Sequence, residues 1–350
     1  MPRDVGPVGP DPRGSARKPR CRSPLTVSLG PWLCGAWAVV AGCGLPVQEA
    51  RAAENGTGFY LLGSRGPLAA VVPPQGVFFQ NDFYVFYADR SSSKPLPVHG
   101  NIATDFRSRA YIEMPTFLWS TPWTLGGAQL AFSATIPFGG PDVSASAVAG
   151  PFSRSTSDST FTIGDPVFSG MLGWESGRFR ATGIVSVNTP IGDYHKGALA
   201  NISFNRWATD VTGAATWLDT ERGLDLSAAI GVTFNGENPA TNYRTGTELH
   251  LEWAASQYLS KNFSIGIIGY HYQQISGDSG SGAVLGGFEG RVTALGGTVG
   301  YNFQIGKAPI STRIKVYREF DVKNRVPGGT TGFLTVSLPL WVPQQSSTPH

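Results

Sequence analysis

From Leu224 onward the apolar residues fall on every second position. Leu224, Leu226, Ala228, Ile230, Val232 and Phe234 alternate with Asp225, Ser227, Ala229, Gly231, Thr233 and Asn235. Successive side chains of a strand point to opposite faces, so this stretch has one apolar face and one polar or small face. Leu130, Phe132, Ala134 and Ile136 alternate likewise with Gln129, Ala131, Ser133 and Thr135, and Leu334, Val336, Leu338 and Leu340 with Thr335 and Ser337. A period of two, kept up along the chain, restricts it to an all-β fold.

Read on this basis, the sequence predicts about twelve strands, roughly 76–88, 102–119, 125–138, 163–175, 178–190, 201–218, 223–235, 243–258, 262–275, 287–303, 307–320 and 331–342. Each is near or above the ~9–11 residues that a tilted strand needs to cross hydrocarbon. The links alternate in length. Short ones fall at Ser120–Thr124, Glu175–Arg178, Asp219–Gly223, Leu259–Asn262 and Gln304–Lys307. Long ones fall at 89–101, 139–162, 191–200, 236–242, 276–286 and 321–330. Outer-membrane barrels have short periplasmic turns and long outer loops, whereas a soluble sandwich has no reason to sort its loops. The expectation is a transmembrane antiparallel β-barrel of about twelve strands over 76–342 in a bacterial outer membrane, followed by a C-terminal tail, 343–350. Charged residues are 15% of the chain and glycines number 45, which suits such a barrel better than an ordinary soluble domain.

The formal net charge of +3 raises the question of nucleic acid, and its distribution answers it. Residues 1–52 hold seven Lys/Arg and three Asp/Glu; the remainder is nearly neutral. No basic stripe is left to track a phosphate backbone. Cys21, Cys34 and Cys43 also lie in this leader, so the rest of the chain has no disulfide framework and no thiolate metal site. Within the leader, basic residues 3–22 precede an uncharged stretch from Ser23 to Val47, and Ala50-Arg51-Ala52 closes it. Basic, apolar and small residues in that order read as a cleaved secretory signal peptide over 1–52. Two alternatives compete: a lipoprotein signal ending at Cys43, and an uncleaved anchor, whose helix Gly30, Pro31, Gly42 and Pro46 would break.

Residues 53–75 precede the first strand and do not read as one. Phe59, Tyr60 and Leu61 open an apolar run, Leu68–Val72 form another, and Pro73-Pro74 stop it. Two readings stand side by side, a periplasmic tail and a small plug tucked into the barrel mouth.

Several motifs carry a family likeness. They are Tyr60-Leu61-Leu62-Gly63-Ser64, Pro73-Pro74-x-Gly76 and Thr189-Pro190-Ile191-Gly192-Asp193-Tyr194. Further along come Tyr243-Arg244-Thr245-Gly246, Gly269-Tyr270-x-Tyr272-x-Gln274-x-Ser276-x-Asp278 and Asn324-Arg325. In their order and spacing, over nearly all of 56–342, the chain resembles the outer-membrane proteins associated with the meta-pathway of phenol degradation, a group that includes porin-like proteins linked to sphingoid lipids. The resemblance implies a barrel that passes aromatic or lipid-like compounds, and it carries over no set of functional residues. One departure stands out. Such chains usually end on an aromatic residue, whereas here Trp341 is followed by Val342 and a polar tail.

Lipid-facing Arg or Lys near the midplane costs about 2–4 kcal/mol, so charges on polar strand faces are expected to point into the lumen. These are Arg107, Arg109 and Glu113; Arg178 and Arg180; Arg244, Glu248, His250 and Glu252; Arg313, Lys315 and Glu319. The plain reading is a salt-bridge ladder stiffening the wall. The functional one is a constriction that orients an acidic solute, with Arg178, Arg180 and Arg244 as its centre. The expected function is passive uptake of small hydrophobic or amphipathic compounds, with outer-membrane lipid and such solutes as partners and no cofactor. The alternatives are a general porin or a structural barrel, and then an outer-membrane lipid hydrolase. The last needs a serine beside a histidine. Ser256 shares the parity of His250 but lies six residues along, about 20 Å in a strand. Glu248, His250 and Glu252 follow one another at every second position of one strand and read as lumen wall rather than as metal ligands.

If the leader is cleaved as read, the intact mass of protein purified from outer membranes will correspond to a chain that begins near Ala53. A mass retaining 1–52, or acyl chains on Cys43, would overturn that reading.

Overall fold

A computed structural model describes residue 54 and residues 57–98, 101–149, 152–284, 286–287, 289–325 and 328–343. The leader and the last seven residues, on which the signal-peptide and C-terminal-tail expectations fall, lie outside the described residues. The strands in chain order are β1 (Gly76–Val98), β2 (Asn101–Leu125), β3 (Ala128–Thr135), β4 (Phe138–Ala149), β5 (Phe152–Ser159), β6 (Thr162–Ile163), β7 (Val167–Ser176), β8 (Phe179–Asn188) and β9 (Ala208–Asp219). They continue with β10 (Leu224–Asn235), β11 (Glu237–Asn238), β12 (Tyr243–Arg244), β13 (Glu248–Tyr258), β14 (Phe263–Gln274), β15 (Arg291–Ile305), β16 (Ala308–Lys323) and β17 (Thr330–Trp341).

Twelve of them close an antiparallel barrel in the order β1-β2-β3-β7-β8-β9-β10-β13-β14-β15-β16-β17. The seam is the pairing of β1 with β17, which runs from Val77↔Trp341 to Tyr87↔Thr330. Closure matters because hydrocarbon offers no hydrogen bonds, so an open sheet edge there would leave a row of polar groups unpaired. The two-residue alternation supplies the rest. Leu226, Ile230 and Phe234 are exposed on the outside of β10, while Asp225, Ser227 and Thr233 are buried within. Aromatic side chains crowd the outer surface at both ends of the wall. Trp123, Trp174 and Trp341 stand near the short turns, and Trp207, Phe234 and Phe320 near the long loops. Such girdles mark the two interfaces of an outer-membrane barrel.

The structure differs from the sequence reading chiefly at the loop end. The expected loop 89–101 is taken up by β1 and β2, which pair as far as Val98↔Asn101 with one register shift between Ser91 and Leu96. The expected loop 139–162 is mostly the β4–β5 hairpin, whose β4 pairs with the upper part of β2. Pro137, Gly139, Gly140 and Pro141 hide this continuation in the sequence, since such residues normally end a strand. Here the ladder breaks only at Ile136-Pro137, which Ile136 N–H bridges by donating to Pro115 O (3.1 Å) and Gly164 N–H by donating to Pro137 O (2.8 Å). Residues 201–207, expected in a strand, belong instead to the loop before β9. The short link expected at Ser120–Thr124 lies further on. β2 continues to Leu125, and Gly126-Gly127 make the turn with φ of +56° and +76°, as a tight hairpin requires.

Ile230, more than half exposed on the lipid side, gives a direct test of the wall's orientation. Ile230→Arg should lower stability by about 2–4 kcal/mol, read as a lower unfolding midpoint in bilayers, and Ile230→Leu should leave it unchanged.

Candidate functional site

The interior of the barrel is occupied by the chain's own N-terminal segment. At the long-loop end, Glu54 is buried and accepts hydrogen bonds from Asn238 Nδ2 (2.9 Å) and Thr241 Oγ1 (2.7 Å), with Arg206 Nη1 at 3.4 Å. At the short-turn end, Ser120 Oγ donates to Pro73 O (2.8 Å). Between these points the segment runs the length of the lumen.

Its backbone has no neighbouring strand, so side chains of the wall bond it instead. Glu252 accepts from the N–H groups of Gly63 and Arg65, both at 2.9 Å. Lys315 Nζ donates to Gly63 O (2.6 Å) and Ser64 O (2.5 Å), with Arg65 O at 3.5 Å. Leu68 N–H donates to Asp225 (2.8 Å) and Ala70 N–H to Thr216 (3.1 Å), while Thr182 donates to Ala70 O (2.6 Å). The ring of Tyr60 lies flat on His250, with centroids 3.5 Å apart and planes 14° from parallel. Gly63 has φ +84°, and a Cβ there would sit 2.8 Å from Tyr317 and 3.0 Å from Phe333. Both the backbone conformation and the close approach therefore require glycine at this position.

The wall around the segment has two chemistries. One is aromatic: Leu62, Tyr270, Tyr272, Tyr317 and Phe333 are buried together, with Tyr60, Tyr84 and Met114 packed against them. Ionic groups are interleaved with these rings on the same and neighbouring strands. His250 Nε2 bonds Asp210 at 2.8 Å, and Asp210 also accepts from Thr212 (2.5 Å) and Thr233 (2.7 Å). Acceptance by the carboxylate places the imidazole proton on Nε2. Glu248 accepts from Asn235 (2.8 Å) and Tyr272 (2.6 Å), and Glu319 accepts from Tyr270 (2.7 Å). Glu248, His250 and Glu252 thus each bond a different partner rather than converging on one point.

The residues expected to line the path divide. Glu248, His250, Glu252, Lys315, Glu319 and the half-buried Arg313 are on the inner face, as are Phe59, Tyr60 and Leu61 of the segment. Arg107, Arg109 and Glu113 are not. They share the outer face of β2, where Arg107 pairs with Asp89 at 3.0 Å, Arg109 lies 5.6 Å from the Tyr87 ring centroid, and Glu113 accepts from Asn81. The apolar face opposite them, with Phe106, Ala110 and Met114, is the inner one. The rule that apolar residues face outward fails here because this lumen has an aromatic lining. Arg178 and Arg180 stand at the short-turn end, bonded to Glu221 (2.9 Å) and to Glu175 respectively. Arg244 is at the other end, exposed in β12, where its Nε donates to Asn235 O (3.2 Å). The three arginines do not form one constriction. Asp210, Asp225 and Thr216, which the sequence reading did not single out, hold more of the interior. Their signal was present, since each shares the parity of other polar residues on its strand.

The closed wall, the lipid-facing belt with its two girdles and the sorted turns together define an outer-membrane β-barrel. The chain belongs to the family described as "Putative MetA-pathway of phenol degradation", whose sequence model matches residues 92–336. Among solved structures it is similar to the COG4313 outer membrane channel from Pseudomonas putida F1. Identity is 16%, the match covers 78% of this chain and 97% of that one, and the TM-score is 0.59. Weaker likenesses are to the CymD monoaromatic hydrocarbon channel (7% identity, 75% of this chain and 88% of that one, TM-score 0.40). A Pseudomonas aeruginosa FadL homologue is matched at 10% identity over the same shares, with a TM-score of 0.33. No curated protein matches the chain.

The bonds to Glu252 are open to measurement. Bonds to a carboxylate are about twice as strong as neutral ones. Glu252→Gln should therefore speed hydrogen exchange at the Gly63 and Arg65 amides about tenfold and leave the amides of β14 unchanged. Unaltered exchange at both would show that other contacts hold the segment.

Proposed function

We propose that the protein is a passive channel of the outer membrane for small hydrophobic or amphipathic compounds, aromatic or lipid-like, with residues 53–75 as its plug and 1–52 as a removed leader. The observation that carries this reading is a lumen in which aromatic rings and polar groups are interleaved. Tyr84, Tyr270, Tyr317 and Phe333 offer a ring-lined surface, and Lys315, Glu252 and His250 face the same space with polar groups. A solute with an apolar body and a small polar head fits both kinds of group at once. A general porin needs no aromatic wall, and water-soluble solutes gain nothing from one. Membership of a family described by phenol degradation supports the same reading, as does the likeness in fold to an outer membrane channel. The hydrolase alternative gains nothing, because among the described residues no serine hydroxyl bonds His250, whose ring Tyr60 covers.

Vesicles containing the purified protein should take up toluene and benzyl alcohol faster than empty vesicles while holding back glucose. Equal passage of sugars and aromatics would make the protein a general porin. No gain for any solute would leave a structural barrel.

A further inference from the structure

Lys315 is 3% exposed in the middle of the wall. A buried ammonium ordinarily meets a carboxylate, because taking a charge out of water is costly unless an opposite charge compensates. Among the described residues no carboxylate oxygen lies within 4.0 Å of Lys315 Nζ. Its acceptors are carbonyl oxygens of Gly63, Ser64 and Arg65, and the Phe333 ring centroid is 4.5 Å away. All of these carbonyls belong to the N-terminal segment, so the hydrogen bonds of Lys315 leave with it and only the more distant charges of Asp82 and Glu252 remain.

Glu252 is the complement of this arrangement. It accepts from the N–H groups of the same two residues, Gly63 and Arg65, whose carbonyls Lys315 bonds. The wall therefore holds one acidic acceptor and one cationic donor, and a short stretch of peptide backbone satisfies both. The feature of a peptide group that fits here is that it donates and accepts at once. Neither a hydrocarbon nor a carboxylate does so; the first bonds neither residue, and the second bonds Lys315 but is repelled by Glu252. A hydroxyl or primary amide does both. Beside the pair, Tyr317 and Phe333 approach the segment so closely that only glycine fits at residue 63, so a ring that replaces the segment there lands on aromatic faces.

We propose that Glu252 and Lys315 form the head-group site of the channel, which takes a neutral group that both donates and accepts a hydrogen bond, an alcohol or primary amide on an aromatic or alkyl body. The solute binds in place of the Gly63–Arg65 backbone and so displaces the plug. This inference rests on the channel reading above and adds to it a residue pair, a head-group class and a competition between solute and segment.

The test follows the segment directly. Leu62 is buried against Tyr317 and Phe333, and Leu62→Cys introduces the sole thiol beyond residue 43. Its labelling by a maleimide is followed in detergent with benzyl alcohol, toluene or benzoate at equal concentration. Benzyl alcohol should speed labelling about tenfold over either of the other two, the effect of one or two hydrogen bonds to charged groups. In the double variant with Lys315→Met the advantage of benzyl alcohol over toluene should shrink to that of its one remaining bond to Glu252, and benzoate, still repelled by Glu252, should stay the least effective. If toluene matches benzyl alcohol, the segment is displaced by apolar packing alone and the proposal fails. If benzoate is the most effective, Lys315 is a plain anion site and the proposal fails as well. The comparison of the three compounds in the single variant decides the matter even if Lys315→Met does not fold. Failure of the channel reading looks different, since it appears as vesicles that take up neither toluene nor benzyl alcohol whatever the labelling shows.

Discussion

Inside a bilayer no peptide group can turn to water, and this single requirement shapes the molecule twice. The wall meets it by closing, with β1 bonded to both β2 and β17 so that no strand edge remains. The N-terminal segment meets it without a strand partner. Several of its amides and carbonyls are bonded by Glu252, Asp225, Thr216, Thr182, Lys315 and Ser120, drawn from six different strands. Part of the polar lining of the lumen is thus the complement of one stretch of backbone.

The same logic explains the family motifs, which are loop staples. Buried Asp165 accepts from the N–H groups of Gly192 (2.9 Å) and Phe204 (2.8 Å) and from Ser203 (2.6 Å), and so pins the loop before β9. Asp278 accepts from Tyr243, from Gly246 N–H (2.9 Å) and from Gln274 (2.5 Å), joining two further loops. Burial raises the Asp278 carboxyl above its ordinary range, and the bond from Tyr243 opposes that rise. Thr189–Tyr194, Tyr243–Gly246 and the Gln274–Asp278 end of the Gly269–Asp278 motif thus supply the ends of these clamps and fix the outer rim, while Tyr270 and Tyr272 of that last motif line the lumen.

Strand count, the sorting of turns and the lipid-facing positions of β10 were legible in the sequence because a period of two, kept over ten or more residues, has one structural meaning. The same alternation misled at Arg107 and Arg109. It says which residues share a face but not which face is inward, and Phe106, Ala110 and Met114 look as suited to lipid as to an aromatic lumen. Glu248, His250 and Glu252 were legible as lumen wall because the opposite face of their strand, Leu249, Leu251 and Trp253, is apolar and suits lipid. Their partners were not. Glu252 meets Gly63 across 189 residues of sequence and His250 meets Asp210 across 40; no local pattern encodes such pairs. Arg178 and Arg244 read as parts of one wall when faces are assigned strand by strand, yet the barrel sends them to opposite ends.

The long sequence separation of the segment's bonds also orders events in time. The bonds from Lys315 and Tyr317 to Gly63 span 252 and 254 residues, whereas each hairpin of the wall joins neighbours. Contacts between distant residues form slowly, because the chain entropy of closing the loop is lost before the contact rewards it. The wall hairpins accordingly come together first, and closing the β1–β17 seam and seating the segment, which join residues about equally far apart, come last. The two late steps make like demands on chain entropy, so the segment is enclosed as the seam shuts rather than threaded afterwards through an open pore.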